Sequence, residues 1–181
     1  MNIALRPPMT QEQFLEWVQT QDAPHEFDGA RPVAMTGGTR NHGRAVSAIM
    51  AALLSRLRPP FEAYVEGGIT TGGGAVRYPD VLVTCTPGPG TDLIIPGPLL
   101  VFEVESPTSG HTDRVVKVGE YLRVPSIQRY IIMDLRRAEL TVHVRDGGGW
   151  VMDTLVGSDT LDLPEVGVTI PVAELYHTMA L

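Results

Sequence analysis

Asp80, Glu103 and Lys117 are the side chains whose types and spacing best match a reaction centre. Lys117 is the only lysine in a chain whose lysines and arginines together number 14. Everywhere else positive charge is supplied by arginine. An ammonium kept at one position points to a role that guanidinium fills poorly, such as a compact charge with an adjustable pKa. Asp80 follows Tyr78-Pro79 at the head of a β-rich run, and Glu103 lies near the end of Leu99-Leu100-Val101-Phe102-Glu103-Val104-Glu105. A carboxylate inside an apolar strand is costly unless it is paired or ligating. If the two runs are neighbouring strands, both carboxylates converge on one hard divalent cation such as Mg²⁺, which takes oxygen ligands and keeps several waters. Such a cation polarises a phosphoryl oxygen and acidifies water, so the expected chemistry is phosphodiester hydrolysis. Lys117 then holds the attacking water or steadies charge on phosphate. The bland alternative is an exposed Asp113–Lys117 pair worth about 0.3–0.5 kcal/mol. Position alone leaves both open.

These residues need elements to hold them. Thr10-Gln11-Glu12-Gln13 reads as a capping box that opens a first helix with Phe14, Trp17 and Val18 on one stripe, ending near Asp22-Ala23-Pro24. His25 to Met35 reads as extended chain turning at Asp28-Gly29. A long second helix opens at Gly37-Gly38-Thr39 and stops at Pro59-Pro60. Its apolar positions are Val46, Ile49, Met50, Leu53, Leu54 and Leu57. From Glu62 to Ser106 the chain reads as strands punctuated by Gly and Pro. Gly72-Gly73-Gly74 marks a hairpin tip, because the strand-to-helix context of a phosphate-binding loop is missing. A third helix runs from Thr112, its N-cap, to Leu122 with Val115, Val118 and Leu122 inward, and so carries Lys117. Ile127 to Asp134, Leu140 to Arg145, Trp150 to Leu155 and Gly167 to Val172 are expected strands, and Ala173 to Tyr176 one helical turn.

The 181 residues, 43% hydrophobic and 19% charged, fit a single globular domain. The lone cysteine, Cys85, excludes an intrachain disulfide and a multi-cysteine zinc site, and in its apolar run it is expected to be a buried structural thiol. There is no leader pattern and no apolar run of membrane-spanning length, so no membrane partner is expected and the expected location is cytoplasmic. A net charge of −7 argues against a general nucleic-acid binder, though not against a nuclease whose acidic centre carries a divalent cation.

Asp80, Glu103-Val104-Glu105, Asp113-Arg114, Lys117, Glu120-Tyr121 and Val124-Pro125-Ser126 form one set of matching strings. His25-Glu26-Phe27-Asp28-Gly29, Ala34-Met35-Thr36-Gly37-Gly38, His42, Leu163-Pro164 and Glu174-Leu175-Tyr176 form another. Together they resemble the Uma-type family of restriction endonucleases, in the PD-(D/E)XK nuclease superfamily, over nearly the whole chain. The resemblance implies an α/β (α+β) restriction-endonuclease-like core, a central mixed β-sheet flanked by helices with additional β-hairpins. It also implies that Glu26, Asp80 and Glu103 are the acidic, metal-holding residues, and that Lys117 is the superfamily lysine moved onto the helix after the Glu103 strand. For Glu26 a surface carboxylate in a hairpin is the alternative.

Glu105 departs from the pattern. It stands where the superfamily keeps lysine and the family an apolar residue. It shares a strand face with Glu103 at roughly 7 Å, and reads equally as an extra ligand, a partner for Lys117, or a rim residue. His42 sits near the start of the second helix, an end that favours anions, with a local hydrogen bond as the commoner explanation. Asp113 and Tyr121, four residues either side of Lys117, complete the weaker candidates. His25, His111, His143 and His177 show no ligand spacing.

The expected function is a Mg²⁺- or Mn²⁺-dependent DNA endonuclease, homodimeric by analogy with two-strand cutting, with Arg40, Arg44 and Arg114 on the nucleic-acid backbone. A catalytically inactive binding or regulatory module on the same fold is the alternative. A glycosidase built on two carboxylates needs an aromatic-lined cleft, and aromatic residues make up 6% of the chain.

Overall fold

The computed structural model describes residues 8–105 and 111–179. Helix α1 (Gln11–Val18) opens on the capping box its sequence spells: the Gln13 amide donates to the Thr10 hydroxyl, and the Thr10 amide donates to the Gln13 side chain. This sets Phe14, fully buried, against Phe27 with ring centroids 5.1 Å apart. Strands β1 (His25–Phe27) and β2 (Pro32–Ala34) form the expected hairpin, whose turn is closed by the Asp28 carboxylate accepting from the Ala30 and Arg31 amides. Helix α2 (Arg40–Arg56) is capped by Thr39 and ends before Pro59. It buries Ala45, Ile49, Ala52 and Leu53, while Leu54 turns out to solvent. After β3 (Glu62–Val65), strands β4 (Ile69–Thr70) and β5 (Val76–Arg77) form a hairpin with the glycine run at its tip. They join the first hairpin in a four-stranded sheet ordered β2-β1-β5-β4.

The larger sheet contains β6 (Val81–Thr84), β7 (Pro98–Glu105), β8 (Arg129–Asp134), β9 (Glu139–Asp146) and β10 (Gly149–Val156) with β3, in the order β10-β9-β8-β7-β6-β3. β7 and β8 run parallel and the other neighbours antiparallel, so the sheet is mixed. A parallel neighbour needs a crossover, and helix α3 (His111–Tyr121) supplies it. A final hairpin, β11 (Thr160–Leu163) with β12 (Val168–Pro171), leads into α4 (Val172–Tyr176). Among the described residues no helix is long and apolar enough to cross a membrane.

Strand alternation decides what faces what. Val81, Val83, Leu100, Phe102, Ile131 and Met133 pack on the side of α2, α4 and the β11–β12 hairpin. Leu82, Val101, Tyr130 and Ile132 pack on the other side with Tyr121, Val124 and Ile127. Glu103 is two residues past Val101 and therefore stands on the α3 side. Arg56, in the last turn of α2, forks onto Glu174 of α4 at 2.9 and 2.7 Å, and the Tyr176 hydroxyl donates to the Glu139 carbonyl at 2.8 Å. The closing Glu174-Leu175-Tyr176 string is thus a clasp on the back of the sheet.

Four local expectations are corrected. α3 begins at His111, so Thr112 is inside the helix and does not cap it. Val115 is 59% exposed, because Tyr121 fills the inward stripe and turns Val115 and Val116 outward. Cys85 lies just past the end of β6 and is only partly buried. Strand β11 was not expected at all: Thr160-Leu161-Asp162-Leu163 is four residues long, and only its pairing with β12 defines it.

Candidate active site

The cleft forms where the ends of β6 and β7 meet the small sheet and the starts of α2 and α3. It has a volume of about 530 Å³ and is lined by Glu26, His42, Asp80, Glu103, Glu105 and Lys117, among others. Asp80 sits in the link Tyr78-Pro79-Asp80, where the chain leaves the small sheet (β5) and enters the large one (β6). The β6–β7 ladder begins with Val81 opposite Phe102. Beyond it the Val104 amide has no strand partner on that side, and it donates to Asp80 Oδ2 at 2.6 Å. The other oxygen, Oδ1, is 3.0 Å from His42 Nε2. Thr39 fixes this first turn of α2 by accepting from the His42 amide.

Glu103 and Lys117 meet across the β7–α3 seam. Tyr121, fully buried, donates to Glu103 Oε1 at 2.7 Å, and Lys117 Nζ is 3.7 Å from the same oxygen. Lys117 Nζ also stands 2.9 Å from Glu26 Oε1. That oxygen is buried and receives no aligned hydrogen bond among the described residues, so the contact is an ion pair first. Glu26 Oε2 accepts from Arg77 Nη1 at 3.0 Å, and Arg77 also forks onto Glu120 of α3.

The charges answer one another. Burial pushes the Glu103 carboxyl up to about 7; Lys117 and the Tyr121 hydrogen bond oppose this, while the Asp80 and Glu26 charges add to it. The hydrogen bond to Asp80 raises His42 above its ordinary value against the opposing effect of burial. Burial, followed by the Glu103 charge, holds the Tyr121 hydroxyl well above the usual tyrosine range, so it remains a proton donor.

Among the described residues no three His, Cys, Asp or Glu side chains stand close enough to enclose an ion together. The donor set still fits a hard divalent cation held by two carboxylates, Asp80 and Glu103, with waters filling the other positions, as Mg²⁺ commonly is. The raised Glu103 carboxyl is what added positive charge would relieve. Glu26 is a different case from the other two acids, since both of its oxygens already face cations.

Glu26, His42, Asp80, Glu103, Lys117 and, through Glu103, Tyr121 come together. Glu105, at the end of β7 in register with Asp134, reaches the cleft rim. The side chain of Asp113 lies outside the described residues. Arg77 escaped the sequence reading, and Glu120 entered it only as part of a matching string with no role. Arg77 pairs with partners 51 and 43 positions away, a separation no local pattern reports.

Over residues 11–173 the chain matches the family described as "Uma2: Putative restriction endonuclease". It is 29% identical over 187 residues to "Uncharacterized protein slr1290" of Synechocystis sp., covering 96% of this chain and 94% of that protein. It is 26% identical over 172 residues to "Uncharacterized protein sll1609" of the same organism, covering 88% and 94%. Its fold is similar to the crystal structure of "a putative nuclease belonging to DUF820" from Anabaena variabilis, with a TM-score of 0.79, 15% identity, and coverage of 94% of this chain and 98% of that one. The central mixed sheet with flanking helices and extra hairpins is the nuclease fold expected from the sequence, and the chain belongs to the Uma2 restriction-endonuclease family.

Proposed function

We propose that this protein is a divalent-metal-dependent endonuclease that hydrolyses phosphodiester bonds of DNA, acting as a homodimer. The observation that carries the reading is the convergence of Asp80, Glu103 and the single lysine in one cleft, with Lys117 Nζ 3.7 Å from Glu103 Oε1. Asp80 and Glu103 would hold Mg²⁺ or Mn²⁺. Bound there, the cation supplies Lewis acidity toward a phosphoryl oxygen and lowers the pKa of water. His42 and the Val104 amide fix the two Asp80 oxygens, so the carboxylate is oriented before substrate arrives. Tyr121 does the same for Glu103. Lys117 meets the negative charge that grows on the phosphate as the bond breaks, a preorganised contact. Glu26 holds that ammonium in place through Oε1. Arg40 and Arg44, near the start of α2, meet the DNA backbone.

Nicking of supercoiled plasmid in Mg²⁺ or Mn²⁺ tests this, with Asp80→Asn, Glu103→Gln and Lys117→Ala as comparisons. Metal-dependent nicking lost in the first two variants and strongly slowed in the third is expected. Failure of the wild type to cut any DNA in either metal would sink the reading. The second reading, a non-cleaving binding module on the same fold, is favoured by one observation: cationic partners already occupy the Glu26 oxygens. It would appear as metal binding without cleavage.

A further inference from the structure

The Lys117 ammonium is held by a carboxylate, and that carboxylate is held by an arginine to which the chemistry above gives no part. Arg77, 5% exposed, projects from β5 into the seam between the small sheet and α3. Its Nη1 donates to Glu26 Oε2 at 3.0 Å, while Nε and Nη2 fork onto Glu120 Oε2 and Oε1 at 2.7 and 2.9 Å. Guanidinium is suited to this: it is planar, always charged, and carries five donors in a fixed geometry. One oxygen of Glu26 is thereby fixed, and the other is left 2.9 Å from Lys117 Nζ. Glu120 is three residues beyond Lys117 on the same helix, so the same guanidinium also grips the helix that carries the lysine.

Charge counting gives these contacts a direction. Among the described residues, Glu26, Glu103 and Glu120 bring three carboxyl groups into the seam, against the two cations Arg77 and Lys117. Removing one member of a buried ion network leaves the others uncompensated, and the remainder must rearrange. Without Arg77, Glu26 loses its anchor and Lys117 loses a fixed partner. We propose that Arg77 is a positioning residue, clamping Glu26 to α3 so that Glu26 in turn holds the Lys117 ammonium beside Glu103. This rests on reading Lys117 as the ammonium of the reaction, but its test needs no turnover.

The chain has a single lysine, so protein labelled with lysine ¹³C at Cε gives one side-chain signal. In the wild type the two Hε protons are expected to be inequivalent and the Cε order parameter high, the signature of a held side chain. Arg77→Met is expected to merge the two proton signals and lower the order parameter to the level seen in Glu26→Gln. Adding Glu26→Gln to Arg77→Met should change nothing further, because both act on one chain of contacts. Arg77→Gln, which keeps two donors, serves if Arg77→Met fails to fold. A wild-type signal already averaged overturns the proposal. So does a wild-type signal surviving in a folded Arg77 variant, or additive effects in the double variant; Arg77 then only ties sheet to helix. If Lys117 loosens as expected while the wild type cuts no DNA, the positioning role stands and the endonuclease reading fails.

Discussion

Two demands meet at Glu103. The strand that presents it is apolar and buried, which favours the protonated acid, whereas the proposed chemistry needs the carboxylate. Lys117 and Tyr121 pull toward the ionised form, and burial with the Asp80 charge pulls away from it, leaving the group near 7. The sign of the pH effect follows from linkage. The folded-state value lies above the ordinary carboxyl value of 4.5, so the folded protein binds the extra proton. Its stabilising contribution is full below that ordinary value and is lost as pH rises through about 7. His42, also raised, adds an effect of the same sign from its ordinary value of 6.5 upward. In EDTA the melting temperature is therefore expected to fall between pH 5 and pH 8, and Glu103→Gln to fall less, as read by circular dichroism. A melting temperature that rises over this range would contradict the assignment. Lys117→Ala is expected to lower kcat about 100- to 1,000-fold, the scale of losing one preorganised charge contact, with little change in KM. Asp80 and Glu103 were legible from residue type and strand position and Lys117 from being the single lysine, whereas Glu26 came only with the family resemblance. Arg77 was not, because one arginine among many is unremarkable until its partners on β1 and α3 are known.

At the scale of elements, α3 carries most of the burden, and the chain just past its C-terminal end is held. The carbonyls of Leu122 and Val124 are satisfied from the β9–β10 hairpin. Trp150 Nε1 donates to the Leu122 carbonyl at 3.1 Å, Arg145 Nη2 to the Val124 carbonyl at 2.9 Å, and the Arg145 guanidinium lies 4.4 Å from the Trp150 ring centroid. A distant hairpin thereby fixes the helix that presents Lys117. Trp150→Phe keeps a ring but removes the donor. Arg145 Nη2 still reaches the Leu122 carbonyl at 3.4 Å, so the loss is expected to be that of one hydrogen bond, about 0.5–1.5 kcal/mol, measured by urea unfolding. An unchanged midpoint would show that the indole does not cap the helix. The sequence showed that a helix carries Lys117 and set Val118 and Leu122 inward, as they are, but misplaced Val115. Val115 fits an apolar stripe by spacing, yet the hydrogen bond from Tyr121 to Glu103 and the fork from Arg77 to Glu120 fix the rotation and leave Val115 outside. Strand β11 was missed for a related reason: short strands owe their existence to their partner.

For the whole molecule, the acidic balance and the proposed substrate pull apart. A chain of net charge −7 approaches DNA against its own field. Under the endonuclease reading, contact with phosphate then depends on the exposed Arg40 and Arg44 in the first turns of α2, together with a bound metal. Substituting either arginine by Ala is expected to weaken binding on any sequence and reduce the slope of log K against log salt by about 0.9, as read by fluorescence anisotropy. An unchanged slope would place the DNA elsewhere. Helix order followed from the sequence and the mixed sheet from the family resemblance, whereas the clasp at Glu174–Tyr176 emerged only from its contacts with Arg56 and the Glu139 carbonyl. The division of strands between two sheets was not legible either, since β5 and β6 are separated only by Tyr78-Pro79-Asp80 and look continuous in one dimension.

The most direct measurement is calorimetric titration of Mn²⁺ into the wild type and into Asp80→Asn, each alone and with a non-cleavable phosphorothioate duplex. Binding by the wild type that disappears in Asp80→Asn is the expected result, and it would establish a carboxylate metal site in the cleft. Equal binding by both proteins, or no binding by the wild type even with the duplex present, would contradict a metal-dependent centre on Asp80 and Glu103.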